Sequence, residues 1–125
     1  MQTNSLDSPR QFQIWSYTVG HGQLLLRSTK TTDFSTRIDV LFKDVGAIHL
    51  PMTLDGLALT EATEDEKVEL RPQIASPRLR DRKVFVVSGS NFTGYVVAGM
   101  VAWHEDDLEY YDPSYFSFSL TPGGE

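Results

Sequence analysis

The chain reads as all-β: about eight mostly antiparallel strands in a sandwich or partly open barrel, with at most one or two short helical turns. Three observations predict this. Apolar residues alternate with polar ones along several stretches, which is the period of a strand. Turn signals recur between these stretches. Helical spacing is confined to one short segment.

Taken in order, Met1 to Arg10 is polar, with no apolar stretch of the kind a secretion signal carries, and is expected to be a flexible leading segment. Phe12 to Val19 alternates, with Phe12 and Ile14 on one face and Trp15 and Tyr17 on the other. Gly20-His21-Gly22 predicts a turn, because glycine tolerates positive φ. Gln23 to Ser28 returns as a second strand, and Ser28 to Ser35 is polar enough for a loop. Arg37 to Lys43 has the cleanest pattern: Ile38, Val40 and Phe42 against Arg37, Asp39, Leu41 and Lys43, as in a strand with one solvated face. Asp44-Val45-Gly46 turns the chain into a short strand, Ala47 to Leu50, which ends at Pro51. Asp55-Gly56 predicts another turn before Leu57-Ala58-Leu59.

Thr63 with Glu66 fits a capping box, so Glu61 to Leu70 is expected to hold a helical turn or two. Arg71 to Lys83, with two prolines, predicts a loop or an edge. Val84 to Ser88 and Tyr95 to His104 flank a glycine- and asparagine-containing turn, which predicts the central hairpin. Acids from Glu105 to Glu109 suggest a solvated hairpin tip, and Tyr115 to Leu120 alternates like a last strand. Residues 11–120 are thus expected to form one domain, with 121–125 a flexible tail.

At 125 residues, 40% apolar and 22% charged, the chain can bury a core of its own. It holds no cysteine, which excludes disulfides, thiolate nucleophiles and cysteine-bound zinc and fits a reducing, cytoplasmic compartment. A net charge of -6 disfavours nucleic acid, whose phosphates call for a basic surface. No apolar run is long enough to cross a bilayer. The three histidines, His21, His49 and His104, lack metal-ligand spacing, and the acids lack a calcium-loop pattern. No nucleophile motif or phosphate loop appears. No cofactor is therefore expected, and enzymatic activity is not favoured.

An acidic block from Glu61 to Glu69 adjoins a basic one from Arg71 to Lys83, a pattern better explained by surface pairing than by a partner site. Aromatic residues cluster near strand ends: Trp15, Tyr17, Trp103, Tyr110, Tyr111, Tyr115 and Phe116. Interfaces enrich Trp, Tyr and Arg. Trp15, Tyr17, His21, Arg37, Trp103 and His104 are accordingly the candidate binding residues.

The patterning of Leu24-Leu25-Leu26-Arg27-Ser28, Thr36 to Phe42, and Ile48-His49-Leu50-Pro51 with Gly56-Leu57 resembles small bacterial single-domain β proteins. That class is largely uncharacterised, and some members are thought to act as immunity proteins that bind and neutralise toxins. The resemblance spans roughly residues 12–60 and brings no set of functional residues with it. Together these readings favour a non-catalytic binding or protein-interaction domain, with a protein partner or a second copy of the chain. A small-molecule-binding barrel or cryptic enzyme is the alternative.

Overall fold

The computed structural model describes residues 5–74 and 81–116. Eight strands form one antiparallel sheet: β1 (Leu6–Thr18), β2 (Gln23–Ser28), β3 (Arg37–Lys43), β4 (Ala47–His49), β5 (Thr53–Glu61), β6 (Lys83–Gly89), β7 (Phe92–Ala98) and β8 (Met100–Asp106). Their order is β4-β7-β6-β5-β1-β2-β3-β8. The sheet is open in its hydrogen-bond order, with β4 and β8 at the edges. All strands among the described residues belong to that one open sheet, as expected of a mostly antiparallel β fold, and it curls on itself.

The curl comes from two bends. Tyr95 to His104 was expected to be one strand, but the chain breaks at Gly99, whose N–H donates to the carbonyls of Lys43 and Asp44. The segment β3–β4 bends opposite it, at Asp44. Lys43 pairs with Met100 on one side of the bend and Ala47 with Val97 on the other. The same two runs of chain therefore pair across both ends of the sheet, which draws those ends together. The concave face encloses Phe12, Leu24, Leu26, Val40, Phe42, Leu54, Leu59, Phe85, Val87 and Val96, all wholly buried. The Phe42 and Phe85 rings meet across it at 5.9 Å. Burying each such side chain contributes roughly 1.5–3 kcal/mol, which makes this core the main source of stability.

Several local expectations change. Leu6 to Arg10 belongs to β1, because it pairs with β5 and Arg10 is buried by contacts to Thr36, Glu105 and the Phe34 ring. Asp55-Gly56 is not a turn. It is an irregularity within β5, where Gly56 takes a φ of 93° that a side chain would strain, opposite the register shift in β1. The capping box forms as expected: Thr63 Oγ1 accepts from the Glu66 N–H, and Glu66 Oε1 accepts from the Thr63 N–H. It starts helix α1 (Glu64–Leu70), which runs into a 3-10 turn at Arg71–Gln73. Of the neighbouring acidic and basic blocks, Lys83 pairs with Glu61 and Lys67 with Glu64, while residues 75–80 lie outside the described range.

The convex face carries two covers. Leu70 on α1 and Ile74 just beyond the 3-10 turn pack on Val84, Val86, Tyr95 and Val97. Residues 107–116 lie across the outward side of β2, β3 and β8, where Phe116 packs on Leu25 and Leu41. The acids from Glu105 onward are therefore not a hairpin tip: Glu105 and Asp106 end β8, and the rest begin this strap. Tyr115 and Phe116 sit in a turn rather than a strand, and the remainder of the expected last strand lies outside the described residues.

Candidate functional site

Strand alternation sends Arg27 of β2 and Arg37 and Asp39 of β3 to the convex face. The strap then closes over them. Arg37 is 0% exposed and Arg27 and Asp39 are 3% and 2% exposed, so the face expected to be solvated is buried. Strand periodicity assigns a residue to a face, but it does not say what covers that face.

Two guanidinium groups hold the strap. Arg37 Nε and Nη2 donate to the Asp106 carboxylate at 3.0 and 2.9 Å. Its Nη1 donates to the carbonyls of Glu109 and Asp112, and Nη2 also donates to that of Pro113. All five N–H donors of the group are thereby used. Arg27 grips Asp39 in a bidentate pair at 2.7 and 3.0 Å, and its Nη1 donates to the carbonyls of Tyr110 and Asp112. Planar, multiply donating arginine suits this task, since lysine offers no fixed fork. The strap's own acids shape its turns. Asp106 Oδ1 accepts from the Leu108 N–H and Asp112 Oδ2 from the Glu109 N–H.

Burial pushes the Asp106 carboxyl up, but hydrogen bonds from Arg37 and the Leu108 N–H, with the charges of Arg37 and His104, outweigh it, and the net shift is below the usual carboxylate range. Burial likewise pulls Arg37 down, and the hydrogen bond and charge of Asp106, with Asp39 and Asp112, raise it overall. Lys30 is raised by its hydrogen bond to Glu109 at the strap's outer side.

The held strap presents aromatic side chains outward. Tyr111 is 84% exposed, and Tyr110, Tyr115 and Leu108 are also exposed. They are not loose. Tyr115 stacks on His104 at 3.8 Å, Tyr110 meets Trp15 edge-on at 5.4 Å, and Tyr110 and Tyr111 lie 4.3 Å apart. Arg27 stacks over Trp15 at 4.9 Å. Asp107, Glu109 and Asp112 alternate with them along the strap. Phenol rings and carboxylates side by side suit noncovalent recognition of cationic groups, through cation–π contact and charge.

Of the candidate residues read from the sequence, the structure brings Trp15, Arg37 and His104 together on this face. Arg37 lies beneath it, wholly buried, as a support. Tyr17 does not join them. A bulge between Ile14 and Ser16 places Trp15 beside Leu25 on the convex side and pairs Tyr17 with Leu24, so the face these two aromatics were expected to share does not exist. His21 is exposed in a 3-10 turn at Val19–His21. Trp103 pairs with Val40 and packs on the concave core. Arg27 and Asp39 were missed, although a charge inside each of two apolar strands was a legible signal. Among the described residues no helix is long and apolar enough to cross a membrane. No family model matches this chain, and no curated protein or solved structure matches it.

Proposed function

We propose that the chain is a non-catalytic protein-interaction domain of a reducing compartment, and that the tyrosine face of the strap binds a partner with a basic surface. The carrying observation is that two buried arginines bind the backbone of the strap that displays the exposed tyrosines. Most of the ordering that binding would otherwise require is already done in the folded chain, which favours affinity. Tyrosine and tryptophan supply large contact area at low entropic cost. The flanking acids and the net charge of -6 supply electrostatic steering toward a basic partner. Toxin neutralisation, suggested by the resemblance to immunity proteins, is one form such binding could take. The side chains filling the concave interior support a surface site over an enclosed small-molecule cavity.

The test is affinity capture from native cytosol, followed by reconstitution with the purified partner. Replacing Tyr111 and Tyr115 together by alanine should weaken that binding at least about tenfold, and added salt should weaken it further. A reconstituted partner that binds both forms equally would remove the strap from the interface. Self-association lost in the same double variant would assign the face to a second copy of the chain.

A further inference from the structure

A second site lies on the other cover, between α1 and the convex side of β4, β6 and β7. A groove of about 240 Å³ opens there. Its apolar floor is Leu70 and Val86, and its helical wall carries Glu66 and Glu69, one turn apart. Its other wall is a stacked pair, His49 on Tyr95, with ring centres 5.3 Å apart. Gly94 holds that wall in place: a side-chain carbon here would collide with the His49 carbonyl oxygen, so only glycine lets β4 and β7 approach this closely.

Tyr95 is the informative residue. It is 7% exposed, yet its hydroxyl has no hydrogen-bond partner among the described residues. A phenol buried this deeply normally finds a partner for its hydroxyl. No buried side-chain oxygen or nitrogen goes without a partner among the described residues, so this hydroxyl still reaches solvent, and Tyr95 lines the groove. Glu69 is likewise without an ion pair among the described residues, and one oxygen of Glu66 remains beyond the capping box.

We infer that the groove binds an organic cation, an alkylammonium or a guanidinium on a short apolar stem. The stem lies on Leu70 and Val86. The charged head meets Glu69 and Glu66, and the Tyr95 hydroxyl accepts one N–H. The same head could belong to a free amine or to a lysine or arginine side chain. An adjoining hollow lined by Ile48, Leu50, Pro51 and Phe92, which shares His49 and Thr93, offers room for the rest of a peptide. The site is on a different cover from the tyrosine face and stands without it.

The experiment is a chemical-shift titration of the whole chain with butylammonium, butylguanidinium, neutral butanol, butanesulfonate and a short acetylated lysine peptide. The cations should saturably shift the amides of Val86, Thr93, Gly94 and Tyr95, and the neutral and anionic probes should not. Tyr95→Phe and Glu69→Gln should each weaken binding roughly three- to tenfold, with the rest of the spectrum unchanged. Glu69 is exposed, so its variant carries the test if Tyr95→Phe perturbs folding. Tighter binding of the peptide than of butylammonium identifies a partner's side chain, and the reverse identifies a small amine; both uphold the site. No saturable shift by any cation, equal shifts by butanol or butanesulfonate, or full affinity in Glu69→Gln would overturn it.

Discussion

The two covers of the convex face do the same job by opposite physics. The helical cover is held by apolar contact, with Ile74 and Leu70 on Val84, Tyr95 and Val97. The strap is held mainly by charge and by its own backbone, through Arg27 and Arg37. Apolar contact is non-directional, so the helical cover can adjust by small slides. Guanidinium donors aimed at single carbonyls fix a strap's path residue by residue. That difference explains how ten irregular residues can present tyrosines in set positions. It also makes the two covers respond differently to mutation and to pH.

The largest effect should come from breaking the buried pair under the strap. Arg27→Met leaves the Asp39 charge enclosed without its partner and should cost about 3–5 kcal/mol in urea unfolding. The double variant Arg27→Met with Asp39→Leu should recover most of that loss, because no isolated charge remains. It should still loosen the strap, read as faster amide exchange at Asp112, since Arg27 also binds carbonyls there. Equal losses in the single and double variants would mean the pair's charge is not what matters.

Next in size is the apolar cover. Ile74→Ala should cost about 2–4 kcal/mol by emptying the space over Val84 and Val97. That loss should be the same across salt concentrations, whereas the contribution of the strap's exposed Lys30–Glu109 pair should shrink as salt rises. A salt-dependent loss at Ile74 would blur the distinction between the covers.

The smallest effect is that of pH. The Asp106 carboxyl is held below the usual range in the folded chain. Its contribution is therefore complete above the ordinary carboxylate pKa and is lost as pH falls through the lowered value. Acid should release the strap before the helical cover, seen as a change in Trp15 fluorescence that precedes loss of the sheet's circular dichroism. Asp106→Asn should abolish that early step. Simultaneous loss of both signals in the parent chain would show the two covers to be one cooperative unit.

Much of the fold was legible because strands announce themselves by local pattern. The β3 alternation of Ile38, Val40 and Phe42 matches the core, and Thr63 with Glu66 marks the start of α1. The errors came where a local signal has two outcomes. Asp-Gly can end a strand or bend it, and Asp55-Gly56 bends β5 because β1 and β6 pair on either side. The apolar run through Gly99 looks continuous, and only its pairing with both β3 and β4 divides it. The candidate site was half legible. Its aromatics were visible as a composition bias, but their grouping depends on a bulge at Trp15 and on the strap's return over Arg37.

By itself the sequence determined the class of fold, the faces of most strands, the capped helix, the acidic charge and the exclusion of cysteine chemistry. These follow from residue type and short-range spacing. Only the tertiary structure decided that one sheet curls on itself, that Arg27, Asp39 and Arg37 are buried, and that Tyr95 lines a groove beside Glu69. Each depends on segments far apart in the chain meeting in space, and burial is a property of what lies above a residue rather than of the residue itself.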